Sequence, residues 1–314
     1  MGVDGTGLMA SSAAAHIPVM RDEAIAGLAV RPHGRYLDGT FGRGGHARAI
    51  LELLDRNGRL LLMDRDPQAI AEARRAFADD PRVSIRHDNF AEAGQWSEAR
   101  ELDGALLDLG VSSPQLDDPA RGFSFQSDAP LDMRMDTSAG ESAAEFLARA
   151  DEHEIADVLW RYGEERMSRR IARAIVAQRT ESPIRSTREL ADLVERAIGR
   201  RERNKHPATR TFQGLRIHVN DELGSLERGL RAITDALNPA GRLVVISFHS
   251  LEDRIVKHFI RGEQPAASRR GLPPPPARVL PLRAIGRAQF PSDAETAANP
   301  RARSAVLRIA EKQA

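Results

Sequence analysis

A glycine-rich turn between an apolar run and an amphipathic helix constrains the fold of this chain more than any other stretch. The turn reads DGTFGRGGH at residues 38–46 and follows the apolar run at 35–37. Behind it, apolar residues recur at helical spacing over 47–54. A strand that enters a helix through glycines brings backbone N–H groups and the positive end of the helix to a ligand. This succession of strand, glycine turn and helix therefore predicts a nucleotide-like ligand at the turn.

Two acids near the turn narrow the choice of ligand. Gly42, Gly44 and Ala47 match the dinucleotide fingerprint G-x-G-x-x-G/A, but a single match also occurs in ordinary tight turns. Asp64 ends the next apolar run about 20 residues later, where a carboxylate can accept both hydroxyls of a ribose. Asp38 opens the turn, where it would repel a pyrophosphate but attract the ammonium of a methionine group. The pair favours S-adenosylmethionine over NAD, although Asp at such positions also caps turns and helices.

The order of apolar runs predicts an α/β fold. Strands alternate with helices, which indicates a parallel sheet wound on both faces with ligands at the carboxyl ends of its strands. Asp38, Asp64, Phe90 and Asp108 would then collect at one edge. One long helix is expected at 209–237. The strands are expected at 35–37, 59–63, 82–85, 103–108, 242–247 and 299–310.

The middle of the chain shows helical spacing without a strand. Helices are expected at 143–150, 153–161, 164–179 and 187–198. We predict an inserted all-helical domain at 117–206, within a cofactor-binding domain formed by 16–116 and 207–314. Residues 1–15 are expected to form a disordered tail. The proline-rich stretch at 261–282 is expected to be an extended surface connection.

Composition excludes several classes of protein. The chain has 314 residues, 41% hydrophobic and 29% charged, which is typical of a globular protein. Its net charge is +1, so a nucleic-acid surface would require local clustering of charge. It has no Cys, which excludes disulfides, thiolate metal sites and a cysteine nucleophile. With no signal peptide and no long apolar run, we expect a cytoplasmic protein that does not associate with membranes.

The densest basic run predicts an RNA surface. It comprises Arg200, Arg201, Arg203 and Lys205, joined by Arg210, and few acids lie near enough to neutralise it. A second set of arginines would extend this surface along one helix. The alternative is a solvated helix with i,i+4 pairs such as Glu165 with Arg169. The second set is Arg166, Arg169, Arg170 and Arg173.

His249 and Glu252 invite a metal or acid–base interpretation. No further ligand is matched to them in the sequence, so we expect them to shape the loop after the strand by hydrogen bonding. No metal is expected.

Nine runs, in one order and over nearly the whole chain after residue 15, resemble the ribosomal RNA small subunit methyltransferase H family. The runs are DGTFGRGGH at 38–46, DRDPQAI at 64–70, DLGVSSPQLDD at 108–118, RGFSF at 121–125, LDMRM at 131–135, YGEER at 162–166, HPATRTFQ at 206–213, SFHSLEDRIV at 247–256 and NPRARSAVL at 299–307.

The resemblance implies a class I methyltransferase domain with a doubly wound, Rossmann-like sheet, interrupted by a helical substrate-recognition domain. It implies S-adenosyl-L-methionine as methyl donor and methylation of N4 of a cytidine in the decoding region of 16S ribosomal RNA, within the small ribosomal subunit. The cofactor residues that it implies are Gly44, Gly45 and His46 in the turn, Asp64 at the ribose, Phe90 by the adenine, and Asp108 and Gln115 along the methionine end.

Methylation of an exocyclic amine requires acceptors for the amine hydrogens. Asp108 is the candidate for this catalytic role, although the loop that follows it lacks the second proline and the aromatic of the motif in amino-methylating DNA enzymes. Phe123 or Phe125 would stack on the cytosine, with packing in the helical core as the alternative. Two other functions stay open, a non-catalytic RNA-binding assembly factor and an NAD-dependent dehydrogenase. The sequence does not decide between a monomer and a homodimer.

Overall fold

The computed structural model describes residues 18–199, 206–262 and 280–314. Four residues of the predicted RNA surface, Arg200, Arg201, Arg203 and Lys205, lie outside the described residues. So do the predicted tail at 1–15 and residues 263–279 of the proline-rich stretch.

Seven strands form one sheet in the order β3-β2-β1-β4-β5-β7-β6. Strands β1 to β5 run parallel, and β7 runs antiparallel to both of its neighbours. The strands are β1 Arg35–Asp38, β2 Arg59–Asp64, β3 Val83–His87, β4 Leu102–Asp108, β5 Leu237–Ser247, β6 Leu282–Ala284 and β7 Val306–Lys312.

Twelve α-helices lie in the described part of the chain, and none of them is long and apolar enough to cross a membrane. Short 3₁₀ helices occupy Phe90–Gln95, Pro119–Arg121 and Pro300–Ser304. The α-helices are α1 Arg21–Leu28, α2 Gly45–Leu53, α3 Pro67–Ala76, α4 Ser113–Asp117, α5 Ala143–Arg149, α6 Glu152–Arg161, α7 Ser168–Glu181, α8 Thr187–Ile198, α9 Thr209–Val219, α10 Glu222–Ala236, α11 Ser250–Ile260 and α12 Asp293–Ala298.

Neighbouring residues of a strand point to opposite sides of the sheet. Both are apolar in the central strands, so helices cover the sheet on both faces. In β2, Leu60 and Leu62 pack towards α1, α2 and α3. Leu61 and Met63 pack towards α10, α11 and the 3₁₀ helix at Phe90–Gln95. This arrangement confirms the predicted doubly wound α/β sheet of the class I methyltransferase type. The antiparallel β7 makes the sheet mixed.

Helices α5 to α8 pack around a hydrophobic core of their own. Loop residues such as Leu131 and Met133 contribute to this core from one side. Phe212 and Leu215 of α9 contribute from the other, so the core extends into a helix that lies beyond residue 206. The regular elements in the described part of this section are helices, apart from one isolated bridge between Pro130 and Ser186, and residues 122–142 form a long loop. The domain boundaries at 117 and 206 stay predictions.

The predicted single helix at 209–237 is wrong, because the chain breaks between α9 and α10. Asp221 adopts φ +45° at the break. The side chain of the preceding Asn220 turns into the protein, where its Nδ2 donates to the Met133 carbonyl at 2.7 Å and its Oδ1 accepts from the Met135 N–H at 2.7 Å. These bonds satisfy the backbone of a buried loop, and they fix where the helix ends.

Two further expectations need correction near the end of the chain, and two elements there were not predicted. Strand β5 begins at Leu237 rather than 242, with a register shift where it pairs with β4. The last strand begins at Val306, because the residues before it form the 3₁₀ helix at Pro300–Ser304. Strand β6 and helix α12 were not predicted. Both are short, so neither shows a clear periodicity.

A buried network ties the edge of the sheet to the start of the helical section. Asp66 caps α3 by accepting from the Gln68 N–H at 2.9 Å. Its other oxygen accepts from Gln115 Nε2 and from Arg121 Nη1, both at 2.8 Å. Arg121 in turn donates to the carbonyls of Arg134 and Met135 at 3.0 and 2.8 Å. Asp66 and Arg121 are 3% and 4% exposed, so each charge depends on the other.

We expect Asp66→Asn to lower the free energy of unfolding by about 3–5 kcal/mol, because it leaves the buried Arg121 guanidinium without a counter-charge. Urea denaturation followed by circular dichroism would measure this. The matched control is Asp79→Asn, a change at an exposed position just beyond α3 that should alter stability by less than about 0.5 kcal/mol. Similar losses in both variants would contradict the role given to the network.

Candidate functional site

A cavity opens at the carboxyl ends of β1, β2 and β4. This is the edge at which a doubly wound sheet binds ligands. Of the residues predicted to bind a cofactor, most line the cavity, whereas Gly44 and Asp38 do not. Those that line it are Gly45, His46, Asp64, Phe90, Asp108 and Gln115.

The glycine turn gives the cavity its floor. Gly42 and Gly44 adopt φ +54° and +72°, a region that favours glycine. A Cβ on Gly44 would lie 2.5 Å from the Phe41 ring, so Gly44 shapes the turn from outside the lining. Gly45 and His46 follow in the first turn of α2, where backbone N–H groups have no acceptor within the helix. These N–H groups are available to a ligand.

Asp64 lies at the end of β2 with its carboxylate beside the turn. One oxygen accepts from the Gly42 N–H and the other from the Asp66 N–H, each at 2.8 Å. Burial raises the pKa of Asp64 to about 6, although the two N–H donors act in the opposite direction. Each oxygen of a carboxylate has a second lone pair. The side chain can therefore accept two further hydrogen bonds from a ligand in the cavity.

Asp108 and His46 face each other across the cavity floor. Asp108 ends β4, and its N–H donates to Thr40 Oγ1 at 2.6 Å. Asp108 Oδ2 lies 3.5 Å from His46 Nε2. Asp108 Oδ1 is buried, and no residue in the described part of the chain gives it a hydrogen bond. The same holds for both ring nitrogens of His46. Buried polar atoms of this kind indicate a ligand or ordered water.

Asp38 lies behind the lining, 1% exposed at the end of β1. Burial raises its pKa to about 7, with a smaller upward contribution from Asp108. The pKa of His46 is also raised: burial favours the neutral ring, but the carboxylates of Asp108 and Asp38 outweigh it. The charges of Asp38, His46 and Asp108 therefore influence one another at this edge of the sheet.

Phe90 lies half-buried at the start of the 3₁₀ helix that follows β3. Its side chain fits between two glycines. A Cβ on Gly229 of α10 would lie 2.4 Å from the Phe90 ring, and one on Gly39 would lie 3.1 Å from Phe90 Cβ. The close approach of these two backbones holds the ring at the cavity wall, where it offers an aromatic surface to a planar ligand.

Gln115 is buried in α4, and both ends of its amide are engaged. Its Oε1 accepts from the Ser112 N–H at 2.8 Å, and its Nε2 donates to Asp66 at 2.8 Å. The side chain thus holds the loop after β4 against the buried network. Its predicted role as a cofactor ligand stays a prediction.

The structure brings together a cluster of three potential ligands that the sequence did not reveal. Atoms of Glu222, His249 and Glu252 lie within 4.8 Å of one another. However, both oxygens of Glu222 accept from the Arg216 guanidinium at 2.8 Å. Glu252 Oε1 lies 3.1 Å from His249 Nε2, while Oε2 accepts from the Phe248 N–H at 2.8 Å. The arrangement supports the loop-shaping role expected for His249 and Glu252. The absence of a metal stays a prediction.

Residues from both ends of the described chain close one side of the cavity. Pro18 and Val19 line it from one end, and Asn299 and Arg301 line it from the other. Arg301 Nη2 lies 2.5 Å from Asp117 Oδ1 at the end of α4. The run NPRARSAVL was singled out in the sequence, but nothing in its pattern indicated that it would reach the site.

Neither phenylalanine proposed for cytosine stacking lines the cavity. Phe123 is 8% exposed and belongs to the helical core. The ring of Phe125 packs against His206 and Phe212, with centroid distances of 4.6 and 4.8 Å. The structure therefore favours the alternative of core packing. Arg210 lies in α9, away from the cavity lining, and its RNA-binding role stays a prediction.

The residues of the cavity fit the predicted cofactor, S-adenosyl-L-methionine. Glycines 42 and 44 form the tight turn, and a carboxylate with free lone pairs lies at the end of β2. An aromatic ring lies on the wall beside it, and the unpaired Asp108 Oδ1 lies on the floor. These groups would bind the methionine chain, the ribose and the adenine of a single ligand.

The MraW methylase family model matches residues 13–313. Curated relatives named ribosomal RNA small subunit methyltransferase H are similar over nearly the full length. The protein of Xylella fastidiosa (strain 9a5c) is 60% identical over 95% of this chain and 97% of its own. That of Xanthomonas axonopodis pv. citri (strain 306) is 58% identical over 97% of this chain and 89% of its own. The protein of Stenotrophomonas maltophilia (strain K279a) is 58% identical over 97% of this chain and 95% of its own.

The methyl donor of this protein is S-adenosyl-L-methionine, as its fold and its relatives indicate together. The chain belongs to the MraW methylase family.

Proposed function

We propose that the protein transfers a methyl group from S-adenosyl-L-methionine to N4 of a cytidine in the decoding region of 16S ribosomal RNA. The observation that carries the proposal is the Asp108 carboxylate at the floor of the cofactor cavity. Its Oδ1 is buried without a partner among the described residues, and it can accept a hydrogen bond from an amine. The shared name of the relatives supports ribosomal RNA of the small subunit as the substrate.

The proposal assigns a part of the cofactor to each side chain of the lining. Asp64 accepts the ribose hydroxyls, because its free lone pairs face the cavity between the turn and β2. Phe90 packs on the adenine. The N–H groups of Gly45 and His46 meet the methionine end. Family membership favours this assignment over an NAD-dependent dehydrogenase.

In this reaction the main role of the protein is to orient the acceptor, the N4 amine of cytosine. The cofactor supplies a methyl group on a sulfonium, which is already activated for transfer. The N4 lone pair of cytosine is delocalised into the ring, so the amine is a weak nucleophile and must be held in line with the methyl group. Asp108 holds an amine hydrogen, which draws the lone pair out of conjugation and offsets the charge that develops on nitrogen. His46 Nε2 lies 3.5 Å from the other oxygen of Asp108, Oδ2. As the N4–methyl bond forms the sulfonium–methyl bond breaks, which leaves S-adenosylhomocysteine, and N4 then loses one proton to solvent.

The direct test is incubation of the protein with labelled S-adenosyl-L-methionine and small ribosomal subunits from a strain that lacks it. We expect label in N4-methylcytidine from 16S ribosomal RNA after nuclease digestion and mass analysis, with equal release of S-adenosylhomocysteine. Label in another nucleoside would contradict the proposed site. Cofactor binding without turnover would favour the non-catalytic assembly factor.

We expect Asp64→Asn to weaken cofactor binding by about tenfold to a hundredfold, because a charged hydrogen bond contributes about 1.5–3 kcal/mol. Asn preserves one acceptor for the N–H groups of the turn, whereas Ala would leave both without a partner. Calorimetric titration would measure the affinity, and RNA binding should change little. The control is Asp88→Asn, just beyond β3 and outside the cavity lining. Equal loss of RNA and cofactor affinity would show a structural role for Asp64.

Cofactor affinity should decrease at acidic pH. The free protein holds Asp64 with a pKa of about 6. Ribose hydroxyls that donate to the carboxylate favour its ionised form, so binding releases a proton below that pH. Affinity should be nearly constant above pH 7 and about tenfold weaker at pH 5. The component centred near pH 6 should disappear in Asp64→Asn. Equal affinity of the native protein at pH 5 and 7 would contradict the assignment.

A further inference from the structure

An exposed tryptophan marks the turn between α6 and α7. Trp160 at the end of α6 is 57% exposed, and Met167 just before α7 is 38% exposed. In the described part of the chain only four large apolar side chains are exposed, and these are two of them. Residues 162–167 form a short connection, which makes the two helices neighbours. We call this surface, residues 160–170, the α6–α7 corner.

The α6–α7 corner also carries unpaired positive charge. Arg166, Arg169 and Arg170 are exposed, and none of them makes an ion pair with a residue that the structure describes. The expected pair of Glu165 with Arg169 does not form, because Glu165 is 3% exposed and accepts from the Met167 N–H at 2.8 Å. The three cations therefore face solvent.

Two other arginines of these helices do have acidic partners. Arg161 Nη2 lies 2.7 Å from Asp157, and Arg173 Nε lies 3.6 Å from Glu152. The unpaired charge is thus concentrated around the connection rather than spread along α7. From the sequence, Arg173 was expected to belong to this surface as well.

The corner adjoins the rim of the cofactor cavity. Ser250 Oγ donates to Glu164 at 3.0 Å, and Arg254 Nη2 lies 3.8 Å from the same carboxylate. These contacts join the connection to the start of α11. Phe248 and Glu252, on either side of that start, line the cavity. A strand that enters the cavity from this side would therefore pass the corner.

We propose that Trp160 stacks on an unpaired base of the RNA strand that carries the target nucleotide, while Arg166, Arg169 and Arg170 contact its phosphates. The inference rests on the proposed function, because it takes RNA as the substrate. An exposed aromatic ring beside unpaired cations is the arrangement that binds single-stranded nucleic acid without reading its sequence. The charge of the corner is complementary to a polyanion.

The chain has two tryptophans, and the other one, Trp96, is 7% exposed. The variant Trp96→Phe makes Trp160 the sole tryptophan, so that its emission reports on the corner alone. Titration with a synthetic fragment of the 16S decoding region should quench this emission, because a stacked base quenches indole fluorescence. Unchanged emission, when filter binding shows the RNA to be bound, would overturn the inference.

The contact of Trp160 with RNA can also be tested by measuring RNA affinity after substitution. Trp160→Ala should weaken binding of the fragment about tenfold, and Trp160→Phe should restore most of it. Leu53→Ala removes another exposed apolar side chain, in α2, and should leave RNA affinity unchanged. Cofactor affinity, measured alongside, should be the same in all three variants. Equal RNA affinity of Trp160→Ala and the parent would overturn the stacking role.

The arginines of the corner lead to a separate prediction, on the salt dependence of RNA affinity. The double variant Arg169→Gln, Arg170→Gln should reduce the slope of log affinity against log salt concentration by about 1.4–1.8. An unchanged slope would overturn the phosphate contacts. If Trp160 emission depends on protein concentration without RNA, a second copy covers the corner and the inference fails.

The methylation assay separates this inference from the proposed function. Methylation at N4 of the cytidine, with no quenching and no loss of affinity in Trp160→Ala, would overturn the inference alone. Methylation of another RNA nucleoside, with quenching preserved, would overturn the proposed target and support the corner as an RNA contact.

Discussion

The rest of the structure depends on the hydrogen bonds and the ion pair of the buried Asp66 carboxylate. It caps α3, holds Gln115 and neutralises Arg121 at a place that water does not reach. A buried charge without its partner is strongly destabilising, so the loop after β4 and the entry to the helical section must adopt positions that serve this one group. The cofactor edge of the sheet and the helical section are therefore fixed relative to each other by the same hydrogen bonds.

The site itself is under electrostatic strain. Asp38, Asp64 and Asp108 end three neighbouring strands, and parallel pairing brings them to a single edge. Burial raises the pKa of Asp38 and Asp64 well above that of a free carboxyl group. The Gly42 N–H of the glycine turn donates to Asp64, and His46 lies beside Asp108, but Asp108 Oδ1 is left without a partner in the described chain. Incomplete satisfaction of this kind is typical of a surface made for a ligand.

Sequence periodicity predicted the sheet and its edge, because alternation of apolar runs and the positions of glycines are local signals. Asp64, Phe90 and Asp108, which the order of the strands placed at this edge, line the cavity. The family resemblance added Gly45, His46 and Gln115 to the lining. Sequence periodicity did not predict contacts between distant segments. The break at Asn220 depends on a loop at 133–135, and the ligand cluster at His249 depends on Glu222. Arg301 reaches the cavity from the far end of the chain. Such positions are set by tertiary packing and leave no periodic pattern.

Among the described strands, β6 pairs with β7 alone, and β7 comes later in the chain and lies between β5 and β6. During synthesis, β6 therefore emerges before the strand that gives it hydrogen bonds. Strands β1 to β5 can pair with one another first, but the edge of β5 stays open until β7 arrives. The nascent protein passes through a state with an unpaired strand edge, and a pause before β7 would prolong its exposure to aggregation or to chaperones.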